Sequence, residues 1–351
     1  MEFHKYRKIF ENIKDYKFNS VQHKKLNKEN WVITEKIHGS NFSIYCDENN
    51  IKFAKRSQFL KIEDNFYNYQ SIISQLSQKV MHMFKDLHTN EKYNNNDDIN
   101  YIIIYGELFG GWFPDDVSNW KGNSERIDSE GRIKIPMEQR AVQEGVYYDS
   151  TLNFIAFDIQ IIKHDNNCLF IDYNDMINLC QNHDMLVTQP LMIGKLNELI
   201  KYNVNFDSTI PKYVGLNNLE NNIAEGIVIK PISNILILNQ KNNLIRCAVK
   251  IKHPKFAEIC TKSKFNMLNT FKSPDNILNS LINHNRLHAV ISKVGPLDKN
   301  NYEEIVGELI DDIWIDYYNN NNNVKNLDYK KTNQLLENKC KLFVKSNMCQ
   351  S

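Results

Sequence analysis

The sequence predicts an α+β fold, with a sheet-rich N-terminal domain of antiparallel or mixed sheets with flanking helices and a small all-helical C-terminal domain. Its 351 residues exceed the roughly 250 to 300 at which a single hydrophobic core stops growing. Between residue 31 and about 252, short β-branched and aromatic runs alternate with polar connectors, as strands do. Beyond about residue 255, helix-length segments replace them. We therefore predict domains at 1–265 and 266–351.

The predicted elements follow in chain order. The strand-like runs are WVITEKI, NFSIYC, YIIIYGELF, LNFIAFDIQII, EGIVIK and LIRCAVKIK. Between them, DNFYNYQSIISQLSQKVMHMF and DYNDMINLCQNHDM are typical of helices, the latter with Met176 and Cys180 on one face. In the C-terminal region, SPDNILNSLINHNRLHAVISKV is opened by Ser273 and Pro274, and YEEIVGELIDDIWIDYY carries Trp314 on an apolar stripe. These two segments predict the helices of the second domain.

Composition excludes several classes of protein. No apolar run approaches the roughly 20 residues of a membrane helix, and the start, MEFHKYRKIF, lacks the apolar stretch of an export signal. Seven scattered cysteines form no C-x-x-C pair, so free thiols in a reducing compartment are expected. The net charge of +1 excludes a histone-like polycation but leaves a nucleic-acid enzyme open, because local clustering decides phosphate binding. We expect an intracellular monomer, with the cytoplasm as its compartment.

Four lysines are candidates for chemistry. Lys36, in TEKIHGSNF, follows a strand-like run and precedes a glycine turn, where an amine projects from a rigid element. Lys230 ends EGIVIK, and Lys250 and Lys252 share one face of a strand, because side chains alternate with period two. Solvated lysines, or an outward pair on an edge strand, are the alternative. Several ammonium groups in one site would lower the pKa of one of them, giving a neutral nucleophile, and would also bind a triphosphate.

Six motifs carry a family resemblance. EKIHGSNF, AKRS, YGELFGG, FIAFDI, EGIVIK and AVKIK occur in this order between residues 31 and 256, and the set resembles the covalent nucleotidyltransferases, which include ligases and mRNA capping enzymes. HGSN after the lysine, in place of the DG of DNA ligases and capping enzymes, is similar to the RNA ligase 2 family of nick-sealing phage and kinetoplastid RNA-editing ligases. The stretch AVQEGVYYDSTLNFIAFDI resembles the segment before the adenine-stacking motif of the editing ligases, and HNRLHAVISKVG resembles the C-terminal domain of the phage branch.

The resemblance implies an ATP-grasp-like adenylyltransferase domain and an RNA-engaging helical domain. The implied enzyme is an RNA repair ligase that uses ATP with Mg²⁺ or Mn²⁺ and seals 3′-hydroxyl and 5′-phosphate ends in nicked duplex or bridged RNA. It would act through lysyl-AMP and AMP-RNA intermediates. Two alternatives stay open: a capping guanylyltransferase, which uses GTP and the same lysine chemistry, and a non-catalytic duplex-RNA binder of the same fold.

The resemblance also implies roles for individual residues. Lys36 would be the nucleophile, His38 would assist self-adenylylation, and Lys250 and Lys252 would complete the catalytic set. The nucleotide would be bound by Glu35, Ile37, Asn41, Arg56, Glu107, Phe157, Asp158, Glu225, Val228 and Lys230. Among these, Phe157 would stack on adenine and Val228 would pack on its other face. A metal ion would be held by Glu225, and RNA would be contacted by Ser40, Arg56, Phe66 and Tyr67.

Some of these positions have an ordinary alternative. Phe66 and Tyr67 are equally typical of a helix-face core, and a strand phenylalanine such as Phe157 is more often core than ligand contact. A basic stretch crosses the predicted domain boundary: residues 246–272 contain seven Lys or Arg against the single acid Glu258, a local charge of +6. Such a run is usually a solvated face, but beside a phosphate site it can follow an RNA backbone.

Overall fold

The computed structural model describes residues 1–7, 9–16, 18–94, 98–114, 141–238, 244–257, 274–320 and 329–349. They form two compact units. The described residues of the first unit lie within 1–64, 68–114 and 141–253, and those of the second within 65–67, 254–257, 274–320 and 329–349. The predicted domain boundary at residue 265 and the basic residues Lys262, Lys264 and Lys272 lie outside the described residues.

The predicted α+β class is confirmed. In chain order the first unit contains α1 (Ser20–Lys28), β1 (Trp31–Glu35), β2 (Ser40–Cys46), β3 (Ile51–Lys55), α2 (Ile73–Thr89), β4 (Ile99–Trp112), β5 (Asp149–Lys163), β6 (Cys168–Phe170), α3 (Tyr173–Asn182), β7 (Pro190–Gly194), α4 (Leu196–Leu199), α5 (Ile210–Tyr213), β8 (Gly226–Pro231), β9 (Leu236–Leu238), β10 (Leu244–Arg246) and β11 (Val249–Lys252). The pairs between these strands are antiparallel.

Two larger sheets organise the first unit. Sheet A has the strand order β11-β8-β1-β7, and sheet B has the order β3-β2-β4-β5-β6. The chain crosses from sheet A to sheet B between β1 and β2, through residues 36–39. A Cβ atom on Gly39 would lie 2.1 Å from the Leu108 carbonyl oxygen, so this close approach of two backbones requires glycine. The crossing segment, which carries Lys36, is thereby held against β4.

Separate apolar clusters support the two sheets. Trp31, Ile33, Ile227 and Ile229 belong to a buried cluster on sheet A. On one face of sheet B, a second cluster is built from buried tyrosine and isoleucine side chains and is covered by residues of the N-terminal segment, Met1, Phe3 and Tyr6. The packing fixes the strands whose ends carry the functional side chains.

Some predicted boundaries were wrong. The helix predicted from residue 64 begins at Ile73, because Tyr67 and Asn68 adopt left-handed backbone with φ of 54° and 55°. The single run 244–252 divides into β10 and β11, which lie in different sheets. Helix α1 was not predicted, although it starts with a capping box in which Asn19 and Gln22 exchange side-chain to backbone hydrogen bonds.

The second unit is helical, as predicted. It contains α6 (Pro274–Ser280), α7 (His284–Val294), α8 (Tyr302–Asn320) and α9 (Tyr329–Cys349) around a shared apolar core. The helix predicted over 273–294 is two helices, because Asn283 is extended and its side chain caps α7 by accepting from the Arg286 amide at 3.0 Å. Arg286 is fully buried and pairs with Asp312 and Asp316. Throughout the described ranges, we find no helix with the length and apolarity needed to cross a bilayer.

Candidate active site

Lys36 lies immediately after β1 and contacts a carboxylate. Its amide donates to the carbonyl of Gly226 at 2.9 Å, and its Nζ donates to Glu225 Oε2 at 2.6 Å. Gly226 has φ of 149°, and a Cβ atom there would lie 2.1 Å from the Ile251 carbonyl oxygen, so β8 and β11 can approach only at a glycine. The backbone therefore places the predicted nucleophile beside the acidic residue that precedes β8.

Glu225 collects two further basic side chains. His38 Nδ1 lies 3.3 Å from Oε2, and Lys252 Nζ lies 3.3 Å from Oε1. Burial raises the pKa of Glu225, but Lys36, His38 and Lys252 outweigh it and hold this pKa well below its usual range. One ionised carboxylate thus stands among three basic groups from two chain segments, the crossing between β1 and β2 and strand β11, and the surrounding positive charge suits an anionic ligand.

Both ring nitrogens of His38 face acceptors. Nδ1 faces the Glu225 carboxylate, and Nε2 lies 3.1 Å from the Glu144 carbonyl oxygen. A neutral imidazole has one N–H donor, so only the doubly protonated ring donates to both acceptors. The His38 amide donates to the Tyr148 hydroxyl at 2.8 Å. Glu144 and Tyr148 were not predicted as site residues. Their signal was the stretch AVQEGVYYD, which the sequence analysis used only as a resemblance.

Glu107, on β4, belongs to the same site. It is paired with Asn41 across β2 and β4, and the Asn41 side chain hydrogen-bonds to it. Burial raises the pKa of Glu107 to about 7, with Lys36 and Arg56 lowering it and Glu225 raising it. Glu107 therefore interacts with four other predicted site residues, which are Lys36, Asn41, Arg56 and Glu225.

Glu35, which was predicted to contact the nucleotide, hydrogen-bonds to the protein instead. Glu35 Oε1 accepts from Ser208 Oγ at 2.7 Å, and Oε2 accepts from the amide and hydroxyl of Thr209 at 2.8 and 2.9 Å. Burial raises its pKa to about 6 against these hydrogen bonds. Its side chain thus anchors β1 to the start of α5, and nucleotide contact by this carboxylate has no support. Ile37 and Ser40 are buried too, so the structure gives no support to RNA contact by Ser40.

Lys230 supports a protein backbone where the sequence predicted a phosphate contact. Its side chain is 4% exposed, and Nζ donates to the carbonyl of Phe157 and lies 3.5 Å from Asp158 Oδ1. Burial lowers the pKa of Lys230 to about 8. The lysine with the lowered pKa is therefore Lys230, which contacts the backbone of the predicted adenine-stacking Phe157. The main cause of this lowering is burial, whereas the sequence analysis had expected it from neighbouring ammonium groups.

Four further predicted residues lie away from Glu225. Lys250 Nζ is 3.6 Å from Glu11 Oε1. Val228 is the partner of Lys250 in the pairing of β8 with β11, and it is partly exposed. Phe66 is 1% exposed and Tyr67 donates its hydroxyl to the Ile291 carbonyl at 3.2 Å within the second unit. The predicted stacking of this aromatic pair on RNA stays a prediction, without support from the burial of Phe66.

The acidic residues of the site could hold a divalent metal ion only together with the phosphates of a bound substrate. Across the described part of the chain, no three His, Cys, Asp or Glu side chains are grouped closely enough to hold a metal ion. Glu107 and Glu225 do interact, since Glu225 raises the pKa of Glu107. Mg²⁺ is commonly held by one or two carboxylates together with substrate phosphates, so this pair fits such an ion.

Comparison with known protein families shows which family the chain belongs to. Residues 29–252 match the sequence model of the RNA ligase family, more than half of the 351 residues. The chain belongs to the RNA ligase family. Residues 275–341 match the model of the T4 RNA ligase 2 C-terminal region. Together these matches confirm the predicted membership of the RNA ligase 2 family.

Two curated relatives are RNA-editing ligases. RNA-editing ligase 1, mitochondrial, of Trypanosoma brucei brucei is 28% identical over 243 residues, 64% of this chain and 51% of the relative. RNA-editing ligase 2, mitochondrial, of the same organism is 29% identical over 237 residues, 65% of this chain and 55% of the relative. The chain thus spans about half the length of the curated relatives it matches. A solved structure of a Naegleria gruberi RNA ligase mutant in the apo form is 13% identical, with a TM-score of 0.41 and coverage of 72% of this chain and 56% of the other.

Proposed function

We propose that this protein is an ATP-dependent RNA ligase that seals 3′-hydroxyl and 5′-phosphate breaks, in particular nicks in duplex RNA. The observation that carries the proposal is the arrangement of Lys36, His38 and Lys252 around Glu225, at 2.6, 3.3 and 3.3 Å. It occurs in a member of the RNA ligase family, on residues of the motifs that define the resemblance. A nucleophilic amine beside groups that can neutralise phosphate is what lysyl-AMP formation requires.

In the first step, Lys36 Nζ attacks the α-phosphorus of ATP. A nitrogen–phosphorus bond forms, the bond to the β-phosphate oxygen breaks, and pyrophosphate leaves. The amine must first lose a proton to reach its nucleophilic form; in this structure Glu225 Oε2 accepts its hydrogen bond at 2.6 Å and so orients it. Lys252 and His38 exchange the Glu225 carboxylate for anionic phosphate oxygens, and their charge stabilises the transition state.

The next two steps return the enzyme to its starting state. An oxygen of the RNA 5′-phosphate attacks the AMP phosphorus, which breaks the nitrogen–phosphorus bond and restores the Lys36 amine. The RNA 3′-hydroxyl then attacks the activated 5′-phosphate, forms the phosphodiester and releases AMP. The charge of Arg56 lowers the pKa of Glu107, so this guanidinium belongs to the same site. Its planar set of N–H donors suits a phosphate in these steps.

A divalent metal ion would be held by Glu225 and Glu107 together with phosphate oxygens. When bound, Mg²⁺ or Mn²⁺ supplies neutralisation of phosphate charge. The chain's own task there would be to present the two carboxylates of Glu107 and Glu225 to the ion. The raised pKa of Glu107, about 7, means that a nearby positive charge would favour its ionised form.

We also propose that the protein acts as a monomer in a reducing compartment, the cytoplasm. In support, Cys46, Cys168, Cys180, Cys247 and Cys340 are free thiols. Burial raises the pKa of Cys46, Cys180, Cys247 and Cys340, which leaves them unreactive.

Label transfer tests the proposed function. The full chain is incubated with Mg²⁺ and either ATP or GTP carrying a labelled α-phosphate, beside Lys36→Ala. We expect label on the wild-type protein from ATP alone, and sealing of a 5′-phosphorylated nick in duplex RNA. Label from GTP would favour a capping guanylyltransferase, and RNA binding without any label would favour a non-catalytic binder.

A further inference from the structure

The predicted adenine-stacking residue occupies an irregularity of sheet B. Tyr105 pairs with Asp158 and Gly106 pairs with Ala156, so Phe157 is the extra residue of a β-bulge between β4 and β5. A bulge leaves one residue out of the strand pairing and re-aims its side chain. The carbonyl of Phe157 accepts from Lys230 Nζ on β8. The direction of the Phe157 ring is therefore set by groups that hold the bulge.

The next residue, Asp158, joins the bulge to the N-terminal segment. Asp158 is 1% exposed, and its Oδ2 accepts from the Tyr6 hydroxyl at 2.8 Å and lies 3.0 Å from Arg246 Nε. Its Oδ1 lies 3.5 Å from Lys230 Nζ. A buried carboxylate needs both charge compensation and hydrogen bonds. The two cations supply the charge, and Tyr6 supplies a neutral donor from outside the sheets.

The Tyr6 ring also touches Phe157 directly. The two rings meet edge to face, with centroids 5.1 Å apart and an interplanar angle of 72°, and Tyr6 packs against Tyr105 at 4.8 Å. Tyr6 precedes all six motifs in the sequence. Its segment is tied to sheet B at a second point, where Tyr45 donates its hydroxyl to the His4 carbonyl at 2.9 Å.

We propose that Tyr6 is a positioning residue for nucleotide binding, which fixes the bulge at Phe157 through its hydroxyl on Asp158 and its ring against Phe157. The first residues of the chain thereby form part of the adenine site. The inference rests on the proposed function, in which Phe157 stacks on the adenine of ATP. It predicts a selective effect: loss of Tyr6 weakens recognition of the base and leaves recognition of the phosphates, at His38 and Lys252, intact.

The test compares Tyr6→Phe with Tyr45→Phe. Each removes one hydroxyl that ties the N-terminal segment to sheet B, but only Tyr6 reaches Asp158. Equilibrium binding of ATP and of inorganic tripolyphosphate is measured with Mg²⁺ in a Lys36→Ala background, which prevents covalent reaction. Tyr6→Phe should lose about tenfold in ATP affinity, the size typical of a hydrogen bond to a charged group, with tripolyphosphate binding unchanged. Tyr45→Phe should change neither.

A second variant grades the effect. Tyr6→Leu removes the ring contact as well as the hydroxyl and should lose more ATP affinity than Tyr6→Phe, again without loss of tripolyphosphate binding. Thermal unfolding of each variant is followed in parallel. Equal losses for ATP and tripolyphosphate, or unchanged ATP binding by both Tyr6 variants, would overturn the positioning role. A wild-type protein that transfers no label from ATP would instead reject the proposed function.

Discussion

At the scale of single residues, the site depends on one buried carboxylate with several cationic partners. Glu225 binds Lys36 through one oxygen at 2.6 Å and Lys252 through the other at 3.3 Å. Breaking such a pair leaves an uncompensated charge in a poorly solvated place. In the proposed function, the oxygens of a triphosphate offer the same cations an equivalent partner, and Glu225 keeps the pocket organised before the nucleotide binds.

Lys252 and Lys250 should contribute unequally to self-adenylylation. Lys252 contacts Glu225, whereas Lys250 Nζ lies 3.6 Å from the largely exposed Glu11. We expect Lys252→Ala to lower the rate of lysyl-AMP formation by about 100-fold, since charge-stabilising groups in such sites contribute roughly that much, and Lys250→Ala to lower it less. Rates are measured under single-turnover conditions. Lys85→Ala, an exposed lysine on α2, is the control, and equal small effects at all three would place both strand lysines outside the phosphate site.

Glu107 should make stability depend on pH. Its pKa is about 7 in the folded chain against an ordinary value of 4.5, so the folded state binds more protons in that window. The stabilisation is therefore complete below pH 4.5 and is lost as the pH rises through 7. Glu107→Gln should unfold like the wild type near pH 4.5 and be more stable at pH 8, by on the order of 1 to 2 kcal/mol.

Denaturant unfolding at the two pH values, with Glu48→Gln as an exposed control, measures this difference. A Glu107→Gln variant that is less stable than the wild type at pH 8 would show that its ion pairs outweigh its burial.

Most residues of the candidate site could be named from the sequence, but not all of their partners. Lys36, His38, Glu225 and Lys252 converge as the motif resemblance implied. Tyr148 was missed because its hydroxyl meets the His38 amide across 110 positions of sequence, a contact that no local pattern encodes. Lys230 was predicted to contact phosphate, but its Nζ donates to the Phe157 carbonyl. Residue type and motif alone do not reveal which way a strand side chain points.

At the scale of elements, the crossing from β1 to β2 decides the geometry. Lys36 lies at the end of sheet A, and three residues later Gly39 packs its backbone on Leu108 of sheet B. Two rigid sheets thus define the ends of a short segment that carries both Lys36 and His38. Such support from regular elements holds a functional group more firmly than a free loop would.

Gly39→Ala should be strongly destabilising. The added Cβ would lie 2.1 Å from the Leu108 carbonyl oxygen and 2.8 Å from Glu107 Cγ, so the backbone must move. We expect a loss of about 2 kcal/mol or more in the free energy of unfolding, as for other overpacked positions. Gly194→Ala is the control, because its Cβ would meet no backbone atom closely, only the flexible end of Glu198 at 3.2 Å and Leu199 Cδ2 at an ordinary 3.5 Å. Equal unfolding midpoints for the two variants would contradict the close packing of the crossing.

The element types were predictable from periodicity, whereas the breaks were set by single residues. The β-branched runs at β4 and β5 and the apolar stripe of α3 were predicted correctly. The break at Asn283 was not, since the apolar pattern continues through it and only the capping geometry shows the new start of α7. The bulge at Phe157 was equally hidden, because strand alternation cannot reveal an extra residue on one strand.

At the scale of the whole molecule, the six nucleotide motifs and the helical region fall in different compact units. The last motif ends in β11 at Lys252, and the first unit's described residues end at 253. The sequence pattern changes near residue 255, close to the division between residues 253 and 254, whereas the domain boundary predicted at residue 265 lies outside the described residues and stays a prediction. Nucleotide chemistry and RNA engagement are therefore expected to be separable.

A fragment of residues 1–265 should form lysyl-AMP from ATP and Mg²⁺ but seal nicked duplex RNA poorly. Sealing requires two strand ends held in line, and lost phosphate contacts weaken binding most above about 0.1 M salt. The full chain and the fragment are compared on one nicked duplex across a salt series. Equal sealing would show that the helical unit is dispensable for RNA engagement, and loss of lysyl-AMP would show that the cut disrupts the first unit.

The central claim is that Lys36 is the residue that carries AMP. The most direct measurement is peptide mapping by mass spectrometry after the full chain has reacted with ATP and Mg²⁺, using fragmentation that preserves the phosphoramidate. We predict a single AMP adduct on Lys36, in the peptide that contains EKIHGSNF, and none on folded Lys36→Ala protein. An adduct on Lys250 or Lys252, or an unmodified Lys36 in protein that binds ATP, would contradict this account.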